Sequence, residues 1–502
     1  MPNFYSCCHQ HFSVDDIFIQ HPASKRSYSY GDLKNESSKI AHHLTRLGLV
    51  KGDRVMVQVE KSPQNLFWYF ACLRAGLIYL PLNTAYKERE VEYFVNNAEP
   101  ALILCDPKKH NIFKSILERA DNSCLVRCLD KQGDYSHNEN ILQTSHEFVD
   151  IDCNPDDIAV ILYTSGTTGK PKGAMITHGN LISNSKILSQ TWQWQPQDIL
   201  LHSLPLFHVH GLFVAIHLAT LNGSKIILLE NFNPEQIIDW FPEASVYMGV
   251  PTHYVRLLNS QKLNKTSCKN MRLFTSGSAP LLPQTFSEFQ QRTSHIIVER
   301  YGMTETGINT SNPIDGQRKA GTVGLPLQGI KTMVLDDSNT PVDRDTPGNL
   351  LVKGENVFKG YWGMPEKTAE EFTDDSFFKT GDIASIDSEG YISIVGRDKD
   401  MIITGGLNVY PKEIESIIDA IPGVLESAVI GLPHPDFGES VTAVVVKQSN
   451  DNNLQGQDII QHLKTLAANF KVAKQVFFME ELPRNTMGKV QKALLREMFT
   501  KK

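Results

Sequence analysis

The stretch Ile158-Ala-Val-Ile-Leu-Tyr-Thr-Ser-Gly-Thr-Thr-Gly-Lys-Pro-Lys-Gly173 decides how this 502-residue chain is read. Its first half is an apolar, partly β-branched run bounded by turn residues, the pattern of a buried strand. The run empties into a loop with Gly166 and Gly169, four hydroxyl residues (Thr164, Ser165, Thr167 and Thr168) and two lysines, Lys170 and Lys172. Glycines let backbone N–H groups close around phosphate oxygens, while hydroxyls and a lysine add further donors. A Walker-type loop is excluded, because the glycine spacing differs and Pro171 stands where Ser or Thr should follow the lysine. A flexible linker is a poor alternative for residues abutting a buried strand.

Outward from this loop, short β-branched runs alternate with amphipathic stretches. Arg54 to Glu60 and Ala101 to Cys105 read as strands, and Gln64 to Ala75 as a helix. Such alternation favours an α/β fold with largely parallel sheets. From Gly348 to Ile394 the pattern turns β-rich, with strands expected at Leu350 to Lys353 and Tyr391 to Val395. Four charged residues, Arg397 to Asp400, then separate two apolar runs. Beyond them lie strands at Ser427 to Ile430, Val441 to Val446 and Gln475 to Phe478, and helices at Pro411 to Ala420 and Asp458 to Phe470. The expected organisation is a large domain over 1–396, two α/β subdomains plus a distorted β-barrel, and a small mobile α+β domain over 397–502.

Composition narrows the function. The apolar share is 41% and the net charge −7, which disfavours disorder and a basic nucleic-acid surface. The longest apolar stretch, Leu66 to Leu82, is broken by Arg74, so no membrane span is expected. The eight cysteines form no disulfide or zinc framework, and Asp15 and Asp16 argue against a transit peptide. A cytoplasmic protein is expected.

Four more segments carry chemistry. Glu299-Arg-Tyr-Gly-Met-Thr-Glu-Thr-Gly307 follows an apolar strand: Tyr301 offers a face for a base, Thr304 a hydroxyl for phosphate, and Glu305 a hard carboxylate for Mg²⁺. Leu273-Phe-Thr-Ser-Gly-Ser-Ala-Pro-Leu281 ends a strand in small residues. Thr380-Gly-Asp382 and Gly396-Arg397 place a carboxylate and a guanidinium at strand ends. Pro483-Arg-Asn-Thr-Met-Gly-Lys489 is a turn presenting a lysine.

Together the five segments resemble the adenylate-forming superfamily of acyl-CoA synthetases, adenylation domains and luciferases, in that family's order and over nearly the whole chain. The resemblance implies that the loop from Thr164 through Ser165, Gly166, Thr167, Thr168, Gly169 and Lys172 holds the β- and γ-phosphates of ATP. Glu305 and Thr164 would serve Mg²⁺, and Thr304 the α-phosphate. Gly277, Ser278, Ala279, Glu299 and Tyr301 would belong to the nucleotide site, the ribose falling to Asp382 and Arg397. Lys489 would bridge the attacking carboxylate and the α-phosphate, Lys399 would stand at the hinge, and Gly405 and Gly406 would line the thiol channel for coenzyme A.

Arg300 occupies a position where many relatives carry a small residue, and Arg256 follows Gly249-Val-Pro-Thr-His-Tyr254-Val. Paired guanidinium groups at an acid pocket imply a second carboxylate on the ligand. His208, in Pro205-Leu-Phe-His-Val-His-Gly211, borders that pocket in the family. This pattern resembles the malonyl-CoA synthetases, so the expected substrates are malonate, ATP and CoA, with no nucleic-acid partner and no signal for oligomeric state. Two alternatives stay open: a synthetase for a monocarboxylic acid, and a catalytically silent adenylate-binding protein.

Overall fold

The computed structural model describes residues 3–8, 11–133, 145–164, 171–404, 407–435, 437–448, 454–485 and 488–500. Two large sheets organise the N-terminal part. One has seven strands in the order Gly360–Tyr361, Lys172–Thr177, Ile158–Thr164, Ile78–Pro81, Arg54–Gln58, Leu102–Cys105, Leu125–Cys128, and the last five of these run parallel. The other has nine. Its centre consists of Val298–Met303, Leu273–Ser276, Val246–Gly249, Ile199–His202 and Lys225–Leu228, again parallel.

The helix Pro63–Arg74 explains why both sheets share a core. Ser62 caps it by accepting from the Asn65 amide, and nearly every side chain along it is buried. A helix apolar on all faces has to be enclosed. Its Phe67, Trp68 and Phe70 join a cluster that draws Val55 and Tyr79 from one sheet and Phe18, Leu200 and Ile226 from the other. Arg74, the interruption in the apolar run, is buried too; it pairs with Asp150 at 2.7 Å and donates to Ser37 and Ser38.

A four-stranded antiparallel sheet follows, Lys331–Leu335, Gly348–Lys353, Phe378–Ile386 and Ile392–Arg397. A single 3₁₀ turn, Asp398–Asp400, leads from it to Ile402–Thr404. The C-terminal part has its own sheet, in which Gly438–Lys447 pairs with Val424–His434 and with Gln475–Met479, and its own apolar cores. The expected α/β architecture, large part first and small part second, is what is found.

The differences from expectation are local. Val424–His434 outruns the expected strand at both ends, because its ladder with Gly438–Lys447 continues to the pair His434 and Gly438. Ladder hydrogen bonds recruit polar residues that show no strand pattern. The expected helix Asp458 to Phe470 stops at Leu466, with a separate 3₁₀ turn at Asn469–Lys471.

Candidate active site

In open α/β sheets, ligands bind beyond the carboxyl ends of the parallel strands. Those ends carry the singled-out residues here: Thr164 closes one strand, Gly277 follows Ser276, Tyr301 and Thr304 lie in and just after Val298–Met303, and Arg256 lies on the helix after Val246–Gly249. Ser165, Gly166, Thr167, Thr168, Gly169, Gly405 and Gly406 lie outside the described residues.

Tyr301, Asp382 and Arg397 form one group. Strand register sets Asp382 opposite Arg397, whose Nε donates to Asp382 Oδ1 over 2.7 Å, while the Tyr301 hydroxyl donates to Oδ2. Burial alone would lower the Arg397 pKa, but Asp382, Tyr301 and Glu305 outweigh it and the pKa is raised. The guanidinium therefore stays charged.

Glu305 is buried and accepts from the Tyr361 hydroxyl at 3.1 Å. Burial raises its pKa, opposed by that bond, Arg397 and Lys172. Lys172 lies over the Tyr361 ring at 4.2 Å and reaches Glu371 at 3.4 Å. The half-buried Thr164 hydroxyl donates to the Lys172 carbonyl at 3.5 Å. One enclosed carboxylate beside phosphate-type donors suits Mg²⁺, which takes few protein oxygens and relies on substrate phosphates.

Lys489 is delivered by a turn that the local sequence builds. The Asn485 side chain accepts from the Lys489 amide at 3.0 Å, the Gly488 amide donates to the Asn485 carbonyl, and Gly488 adopts φ 74°. A Cβ at Gly488 would lie 2.9 Å from the Thr252 hydroxyl, so the turn abuts the helix Pro251–Leu258. By surface area Lys489 still meets solvent, but its ammonium is crowded by protein. That crowding, then Arg397, pulls its pKa down to about 8 against the upward pull of Asp382 and Glu305. The lysine of the small domain thus lies within electrostatic reach of the nucleotide-site residues of the large one.

The acid side is polar for an enclosed space. Arg300 is 3% exposed, and neither its Nε nor its Nη2 has a hydrogen-bond partner. Burial pulls its pKa down to about 9. Neighbouring Glu299 is also buried but points elsewhere: its Oε1 accepts from the Leu281 amide, and burial lifts its pKa to about 8. His208 is half-buried and held to about 4 by burial and then by Lys489.

Arg256, expected to face the acid beside Arg300, is exposed on the last turn of Pro251–Leu258, on the helix face it shares with Thr252. The buried positions of that helix are Tyr254, Leu257 and Leu258, so helical periodicity turns Arg256 outward. Lys399 is likewise exposed, on the Asp398–Asp400 turn.

Tyr361 is not singled out by the sequence, and His210 is weighed there only beside His208, as either a site residue or an ordinary hydrogen-bonded core histidine. Tyr361 holds Glu305 and lies under Lys172, a role that no pattern in the local sequence signals. His210, on an unusual π-helical segment His210–Ile216, is buried, meets Ser278 Oγ at 3.4 Å through Nδ1, and leaves Nε2 unpartnered. Its repetition two residues after His208 was the available signal.

Residues 9–362 match the family described as AMP-binding enzyme, and residues 413–489 match the AMP-binding enzyme C-terminal domain. The chain is an AMP-binding enzyme. Among the relatives of this AMP-binding enzyme, a malonate–CoA ligase of Arabidopsis thaliana is 32% identical over 97% of this chain and 86% of its own. The long-chain-fatty-acid–CoA ligase FadD13 of Mycobacterium tuberculosis is also 32% identical, over 95% of this chain and 94% of its own. The crystal structure of ATP-bound MatB from Rhodopseudomonas palustris is 48% identical over 99% of both chains, with a TM-score of 0.96; apo MatB scores 0.86. The whole chain thus superimposes more closely on the ATP-bound structure than on the apo one. Among the described residues no helix is long and apolar enough to cross a membrane, and no cluster of three or more His, Cys, Asp or Glu side chains could hold a metal.

Proposed function

We propose that this AMP-binding enzyme is a malonate–CoA ligase. Malonate and ATP form malonyl-adenylate and pyrophosphate, and CoA then displaces AMP to leave malonyl-CoA. The observation carrying this reading is Arg300, buried with its Nε and Nη2 both unpartnered. A buried guanidinium without a counter-anion costs several kcal/mol. A fatty acid has one carboxylate, and that group has to reach the α-phosphorus beside Lys489. A diacid brings the second. The Arabidopsis malonate ligase and the mycobacterial fatty-acid ligase are each 32% identical to this chain, so those two relatives do not separate the substrates and Arg300 carries the choice.

In this reading, Asp382 and Arg397 hold the ribose, Tyr301 and Gly277 to Ala279 frame the base, and Thr304 and the 164–172 loop take the phosphates. Glu305 and Thr164 serve Mg²⁺, which supplies charge neutralisation for the departing pyrophosphate. The attack sets anion against anion, so Lys489 has to offset that repulsion in the transition state. A malonate carboxylate oxygen bonds to the α-phosphorus as the bond to pyrophosphate breaks. The domain boundary falls at 396/397, and rotation about Lys399 then brings Thr404 to Asn408, with Gly405 and Gly406, to line the thiol channel. The CoA thiol, with a reference pKa of about 8.5, loses its proton and attacks the acyl carbon, and AMP leaves. We place the enzyme in the cytoplasm, a reading supported by its eight cysteines, none of which is in a disulfide.

The test is CoA-dependent AMP release over a panel of mono- and dicarboxylic acids. Malonate should lead, with methylmalonate tolerated, since a methyl group discriminates by only about 1–3 kcal/mol. Faster turnover of any acid from acetate to octanoate overturns the assignment. Absence of ATP–pyrophosphate exchange with every acid selects the silent binding protein.

A further inference from the structure

The structure assigns to Gly277 the seating of the Arg300 guanidinium, a positioning role that sets specificity and rests on the malonate reading above. Leu273–Ser276 and Val298–Met303 run parallel with Ser276 opposite Glu299, so the next residue along each, Gly277 and Arg300, stand side by side on the same face. A Cβ built on Gly277 would lie 2.5 Å from Arg300 Cζ and 2.6 Å from both Nε and Nη1. The guanidinium therefore rests flat against the glycine backbone, in space that any side chain would fill.

Gly277 φ is not positive, so backbone conformation does not demand glycine there. What demands it is the arginine. The atoms in the way are the far end of a flexible side chain, whereas the Cβ is fixed to the backbone. An alanine at 277 displaces the guanidinium and leaves the strands in place. Held on its seat, Arg300 keeps Nε and Nη2 unpartnered and fixed in direction, so a carboxylate meets a pre-oriented pair of donors.

The experiment is a double-mutant cycle of Gly277→Ala and Arg300→Ala, with steady-state KM for malonate and ATP and thermal unfolding of all four proteins. Gly277→Ala is expected to raise the malonate KM at least tenfold and the ATP KM by a clearly smaller factor, since Gly277 also borders the base, with Tm unchanged. In the Arg300→Ala background the same alanine should add less than twofold to the malonate KM. If Gly277→Ala alone fails to fold, the double variant, in which the Cβ has room, should fold. The inference is overturned by an unchanged malonate KM in Gly277→Ala, by equal effects of the alanine in both backgrounds, by a rise in ATP KM matching that for malonate, or by a double variant that does not fold. A parent enzyme inactive on malonate defeats the malonate reading instead, and that is visible before any variant is compared.

Discussion

Arg397 and Asp382 face each other across two antiparallel strands, with Nε and Oδ1 2.7 Å apart, and Arg397 is the last residue before the turn that leads to the small domain. Asp382 is therefore tied to the root of the C-terminal part. Tyr301 completes the link from the base side by donating to the other Asp382 oxygen. This geometry places the Lys489 ammonium, two cationic neighbours and two carboxylates in one electrostatic system, from which the following outcomes are expected.

Lys489→Ala should abolish adenylate formation by about two to three orders of magnitude, the usual scale for removing one transition-state charge donor. Thioester formation from preformed malonyl-adenylate should survive. Single-turnover assays of each half-reaction decide the matter, and equal loss of both contradicts the role given to this lysine.

The Lys489 pKa of about 8 also makes a pH prediction. The ammonium is the active form, so pyrophosphate exchange should hold steady below that value and fall as pH rises through it. Lys489→Arg stays charged at every accessible pH. Whatever activity it keeps should lack this alkaline limb in a kcat/KM profile.

Arg300→Ala removes charged hydrogen bonds worth about 1.5–3 kcal/mol. Catalytic efficiency toward malonate should drop roughly tenfold to 150-fold. Since the parent side chain is an uncompensated buried charge, the ligand-free variant is expected to melt higher than the parent. Calorimetry with and without malonate reads both effects; unaltered efficiency on malonate removes the case for a diacid.

Arg256→Ala should do much less. An exposed, solvent-screened guanidinium contributes about 0–1 kcal/mol, so a loss of fivefold or less in malonate efficiency is expected. A loss as large as that for Arg300→Ala means that Arg256 folds inward when the acid binds.

Tyr361→Phe deletes the hydroxyl that supports ionised Glu305. Burial already raises that carboxyl's pKa and the Tyr361 bond opposes the rise, so the variant should raise it further. The acid limb of activity is expected to move to higher pH, and the Mg²⁺ requirement to weaken in affinity by about 1 kcal/mol, roughly fivefold. Magnesium titrations at two pH values test it.

Much of this enzyme was legible in one dimension. Strand-to-loop transitions at Thr164, Ser276 and Tyr301, the turn presenting Lys489 and the break at Arg397 to Asp400 all depend on near neighbours along the chain, where propensity and spacing act. Which arginine is buried does not. Arg300 and Arg256 carry the same charge, yet one lies buried across the glycine that follows the neighbouring strand and the other is exposed on a helix. Register between strands and the buried face of a helix are set by packing among segments distant in sequence, so tertiary structure alone decided them, along with the partnership of Tyr361 and Glu305.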